Sequence, residues 1–205
     1  QQMARFLAGA LNKLKTGQAF EVHEDLKTVS PQLLGIPFDL LLSISNQDLV
    51  DTFRISGKYG AEKCYIAARL LYCKGLAREA EKPGSGTDCF LRALDLLLAS
   101  YRQLAEDLQA EAITAIDETL RALSDRALPV EFYRHLAAYY EERGDYATAE
   151  DCIFTLAEHH APGTLEVGEA FYDRMQQKSD SELEAGKFSR EEIEEGREEL
   201  KGSMN

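Results

Sequence analysis

Tryptophan is absent from this 205-residue chain, proline occurs only 5 times and methionine 3. With helix breakers and bulky strand formers scarce and Ala, Leu and Glu abundant, a sheet-built domain is excluded and an all-α fold is expected. Long apolar runs are missing too. The most apolar stretch, LLGIPFDLLLSI, is interrupted by Pro37 and Asp39 and falls short of the ~20 residues a membrane span needs. No span and no secretory core segment are expected. A basic patch is also lacking: 36 acidic residues face 23 basic ones, a formal charge of -13. Such a balance disfavours nucleic acid and anionic membrane as partners.

The motifs of common chemistry are equally sparse. Cys64, Cys73, Cys89 and Cys152 form no C-x-x-C pair and have no His at metal-finger spacing, so they read as small buried hydrophobes. Cys73 has no identifiable activating base. Neither His159 nor His160 has a metal-ligating neighbour one turn back on its helix, and both fall where a helix C-terminus welcomes cations. His135 reads as an edge residue, and His23 as a solvated neighbour of Glu24 and Asp25. G-x-S-x-G, G-x-x-x-x-G-K and G-x-G-x-x-G are absent, and PGSG at 83–86 has no preceding strand and reads as a turn. Neither cofactor nor metal is expected, and the chain reads as non-enzymatic.

What is present is helical periodicity. Met3, Phe6, Leu7, Ala10, Leu11 and Leu14 form one apolar stripe, ended at Gly17. A second helix over 18–30 is followed by two breaks, at Ser30-Pro31 and Gly35-Ile36-Pro37. Ser45 with Asp48 three residues on predicts a capped short helix, and AEKCYIAARLLYCKGLAREA a long one. Further helices follow PGSG, span 106–124, begin at Pro129 and run over 163–178. Ser189 and Glu192 form a capping signature ahead of REEIEEGREELK. SDSELEAGKFSREEIEEGREELK holds nine acidic and four basic residues. The expected organisation is therefore one helical domain over 1–178 and an acidic, weakly docked helix or tail over 179–205.

One stretch has the intervals of a repeat. In residues 131–156 an aromatic, Tyr133, precedes Leu136-Ala137, then come Tyr140, the turn Gly144-Asp145-Tyr146, Ala149 and Ile153. This pattern resembles the tetratricopeptide repeat, with Leu156 in place of the usual Ala and Pro162 one position late. Setting Gly75 on Gly144 gives a second copy, with Cys64 at the aromatic position, Ala67-Ala68 at the small pair and Leu71 at Tyr140. Its second helix, with Phe90 and Ala93-Leu94, follows an insertion of about six residues that includes PGSG. Ahead of these hairpins, QQMARFLAGAL resembles the opening of an uncharacterised bacterial family of cytoplasmic helical proteins.

The resemblance implies TPR-like antiparallel hairpins in which Ala137 and Ala149 let two helices approach closely. It also implies a concave face lined by Tyr65, Arg69 and Tyr72 in one copy and by Arg134 and Glu141 in the other. The Lys and Asn set of carboxylate-clamp relatives is missing, so a C-terminal peptide of the chaperone type is not implied. The expected function is a cytoplasmic module that binds a protein or peptide, or itself. Two alternatives stay open: an enzyme or small-ligand sensor with a site in the helical groove, and a homodimer joined through the N-terminal amphipathic helix. Packing of Tyr65 and Tyr72 beneath the N-terminal helices competes with their exposure.

Overall fold

A computed structural model describes residues 2–55 and 57–203, leaving aside the side chains of Gln2, Ala4 and Lys58. All regular structure among the described residues is helical. The chain divides into two compact units, Gln1–Ala127 and Leu128–Asn205. This differs from the expected division at 178/179, because the helices after 178 pack within the second unit.

The first unit is arranged around one buried helix. It contains α1 (Gln2–Lys15), α2 (Ala19–Leu34), α3 (Phe38–Ser43), α4 (Asn46–Ile55), α5 (Gly60–Glu81), α6 (Thr87–Ser100) and α7 (Glu106–Ala122). Cys64, Ala67, Ala68, Leu70, Leu71, Cys73 and Ala77 of α5 are all buried, and they point to every side of the helix. A helix apolar all round must be covered all round, and α1, α2, α4, α6 and α7 supply the cover.

Local chemistry fixes the ends. The Ser45 hydroxyl accepts from the Asp48 amide at 3.1 Å, the expected cap of α4. Pro31 does not break the chain: α2 runs through it to Leu34 and stops where Gly35 takes a left-handed φ of 77° and its N–H bonds the Pro31 carbonyl. Arg92 of α6 donates to the carbonyls of Leu41, Leu42 and Ile44 at 3.0, 2.8 and 2.6 Å, gathering the exposed C-terminal end of α3.

The match of Gly75 to a hairpin turn does not hold. Gly75 lies inside α5, which continues to Glu81, so the inserted residues begin as two more turns of helix. Gly75 has a packing role instead. A Cβ there would stand 2.4 Å from Cε1 of Phe90, and one on Gly86 would stand 2.4 Å from the Gly75 carbonyl oxygen. Side-chain-free positions let α5 and α6 meet.

The second unit contains α8 (Glu131–Glu142), α9 (Tyr146–Glu158), α10 (Thr164–Gln176), α11 (Asp180–Ala185) and α12 (Arg190–Ser203). Helices α8 and α9 form the expected hairpin, turned at Gly144 with φ 73° and with Ala137 and Ala149 both buried. Tyr139 rather than Tyr140 is the fully buried aromatic.

The acidic end is well docked. Ile193, Gly196 and Leu200 of α12 are buried against α9 and α10. Leu200 fills the space that a side chain on Gly168 would take, and Gly196 gives the same room to Tyr172 and Glu150. Ile193 and Leu200 contribute about 1.5–3 kcal/mol each by leaving water, more than the surface pair of Arg197 with Asp173 supplies. Small residues, invisible to a hydrophobicity count, give α12 its seat.

Candidate functional site

Tyr65, Arg69 and Tyr72 share one side of α5, as expected, but it is closed. Helix α7 lies over them, leaving Tyr65 5% and Arg69 7% exposed. The Tyr65 hydroxyl donates to Glu111 at 3.1 Å, and Arg69 Nη1 donates to Glu118 at 2.8 Å. Tyr72 is half-buried against Phe90, with the Arg69 guanidinium 5.1 Å from its ring centre. Burial pushes the Tyr65 phenol up to about 12. The expectation of a free concave face here is corrected: the extra helix between the two repeat-like hairpins fills it, and the cover comes from α7 rather than from the N-terminal helices.

Arg134 and Glu141 both lie on α8 and are held within the second unit. Arg134 donates to the Pro162 carbonyl. Glu141 accepts from Arg174 of α10 at 2.5 and 2.8 Å. Glu141 borders an open depression of about 650 Å³ shared with Tyr146, Arg174, Lys178 and Glu182. Lys178 pairs with Glu182 there at 3.2 Å, so charges of both signs largely satisfy one another.

A polar cluster that sequence reading passed over lies in the first unit. His23 is not a solvated neighbour of Glu24 and Asp25. Its side chain is 14% exposed and bridges two residues of α5, with Nδ1 3.1 Å from Lys74 Nζ and Nε2 3.1 Å from Glu81 Oε1. One turn beyond Lys74, Arg78 reaches the Cys89 sulfur at 3.5 Å. Arg78, Cys89 and Arg92 line an open cleft of about 450 Å³ walled by Leu42 and Leu91, with Asp88 at its edge. Burial raises the Cys89 thiol despite the neighbouring cations, so it stays protonated at neutral pH. The signal for this cluster is a 58-residue separation between His23 and Glu81, which no local motif reports. All four cysteines are free and buried. Among the described residues no group of three or more His, Cys, Asp or Glu is placed to hold a metal.

Large apolar side chains are exposed on the first two helices and also at Leu40, Ile55, Tyr59 and Leu165. Of the α1 stripe only Ala10 is buried: Met3, Phe6, Leu7 and Leu14 are half-covered and Leu11 is 40% exposed. At the start of α2, Phe20 is 71% exposed. Helix α1 also carries Arg5, Lys13 and Lys15 and no acidic residue, against the charge of the whole chain.

These features define an all-helical protein of two compact units whose inter-helix grooves are mostly filled by its own helices. The chain belongs to DUF6483, a family of unknown function, and the match runs over residues 1–205. No curated protein and no solved structure matches it. Among the described residues no helix is long and apolar enough to cross a membrane.

Proposed function

We propose that this protein is a non-enzymatic, cytoplasmic interaction module, built on divergent tetratricopeptide-like hairpins, that docks a protein partner through α1 and the start of α2. The observation that carries this reading is the half-covered apolar stripe of α1, with Leu11 and Phe20 facing water. Single exposed apolar side chains are ordinary on a protein surface, whereas an amphipathic helix with one apolar face left partly open is a common docking element. Lys13 of α1 is paired with Asp25 and Glu21 of α2, while Arg5 and Lys15 fit a partner of net negative charge, which a second copy of this chain has at -13. The residues first considered for partner binding are set aside, because Tyr65, Arg69 and Glu141 are already engaged within their own units.

A Leu11→Glu, Phe20→Glu double variant tests the proposal. Neither side chain is in the core, so the variant keeps its melting temperature within about 2 °C of the parent. It loses association, read by light scattering on the purified chain and by co-purification from cell extract. A folded variant that retains every association of the parent would overturn the reading.

A further inference from the structure

The arrangement around Lys74 goes beyond protein docking. Lys74 Nζ has no carboxylate within ion-pair distance among the described residues, and its partner is the Nδ1 of His23 at 3.1 Å. Two fully protonated groups cannot share that contact, because an ammonium and an Nδ1–H would both be donors with no acceptor between them. The far nitrogen, Nε2, is fixed by Glu81 at 3.1 Å, which leaves Nδ1 to exchange a proton with the lysine. An amine beside a base that is itself oriented by a third group is the arrangement of an activated nucleophile.

The surroundings select what such an amine would meet. Lys74 faces His23 and Lys27 of α2, Arg78 and Glu81 of its own helix, and Cys89 of α6. Burial, with the Arg78 charge second, holds the Lys74 ammonium below the ordinary lysine range. Arg78 stands four residues on, on the same side of α5, and borders the 450 Å³ cleft. Among the described residues its guanidinium hydrogen-bonds to the Cys89 sulfur, a weak acceptor that leaves most of its donors for other groups. Arg92, beside it, is spent on the carbonyls of α3, so Arg78 is the group with donors to give.

We infer that Lys74 is a reactive amine that binds a small oxo-carboxylate reversibly as a Schiff base, with Arg78 holding the carboxylate and His23 carrying the proton. His23 takes a proton from the Lys74 ammonium, and the amine nitrogen attacks the carbonyl carbon to form a carbinolamine. His23 returns that proton to the departing hydroxyl. Water leaves, and the product is the protonated imine; lysine ammonium plus carbonyl gives iminium plus one water, with no oxidant or reductant consumed.

The test uses the intact folded chain, glyoxylate as the carbonyl probe and cyanoborohydride to reduce any imine to a stable adduct, with each lysine followed by peptide mass spectrometry. Lys74 is expected to label about tenfold or more faster than the exposed Lys82 in the same molecule. His23→Ala brings Lys74 down to the Lys82 rate. Arg78→Gln abolishes the preference of Lys74 for glyoxylate over neutral acetaldehyde and leaves acetaldehyde labelling in place. Labelling of Lys74 no faster than Lys82 in the parent chain overturns the inference, and so does an unchanged Lys74 rate in folded His23→Ala. The comparison within one molecule needs no variant to fold, and its result is separate from that of the α1 variant.

Discussion

At Gly75 two rules about helices oppose each other. Alanine is the better helix former by about 1 kcal/mol, so a glycine inside a 22-residue helix looks like an invitation to substitute. The Phe90 ring decides otherwise, since a Cβ would stand 2.4 Å from a side chain that has no room to retreat in the core. Overpacking costs about 1–3 kcal/mol, so Gly75→Ala is expected to lose up to about 2 kcal/mol net in urea denaturation. Gly9 of α1 meets nothing within 4 Å, and Gly9→Ala is expected to gain roughly 0.5–1 kcal/mol instead. Opposite signs at two helical glycines would confirm that the α5–α6 approach is real; a gain at Gly75 would deny it. The same residue shows what a pattern match misses. Gly75 fits the interval of a turn, but a glycine can serve close packing as well as reversal, and only the partner helix tells the two apart.

Helix α12 packs over a half-buried carboxyl, Glu150 of α9. Glu150 lies under Gly196 and accepts from the Tyr172 hydroxyl at 2.7 Å. Burial raises its pKa above the ordinary 4.5, ahead of the lowering by Tyr172 and the added repulsion of Glu192, Asp151 and Glu199. A carboxyl with a raised folded-state pKa supports the fold fully below its unfolded value, and that support is lost as pH rises through the folded value. Glu150→Gln is therefore expected to match the parent at about pH 4 and to melt higher at about pH 7.5, by thermal denaturation. Equal shifts at both pH values would remove the titration from the account.

The hairpin of α8 and α9 was legible beforehand because Gly144, Ala137 and Ala149 act over short range. The docking of α12 was not. It rests on Gly168 receiving Leu200 and on Gly196 admitting Tyr172, and nothing in a strongly acidic segment signals a complementary hole elsewhere in the chain. The closure of α5 by α7 was hidden for a related reason: Tyr65 and Arg69 are residue types common both at interfaces and as buried groups with a carboxylate partner, and Glu111 and Glu118 are 46 and 49 residues away. The Lys74–His23–Glu81 cluster has the same long-range character.

For the whole molecule, charge and surface point the same way. The chain carries a net charge of -13, while α1 carries basic residues only and keeps a partly open apolar face. Grooves that a repeat architecture would offer to a ligand are taken up by α7 in the first unit and by α10 and α12 in the second. The α1 side is the surface we propose for a partner. The most direct measurement places a photo-crosslinking amino acid at position 11, at position 20 and, for comparison, at position 165, where Leu165 is also exposed but lies in the second unit. Protein adducts are expected to concentrate at positions 11 and 20, and irradiation of the purified chain alone tells whether the partner is a second copy. Adducts as frequent from position 165 as from 11 and 20 would contradict docking through α1.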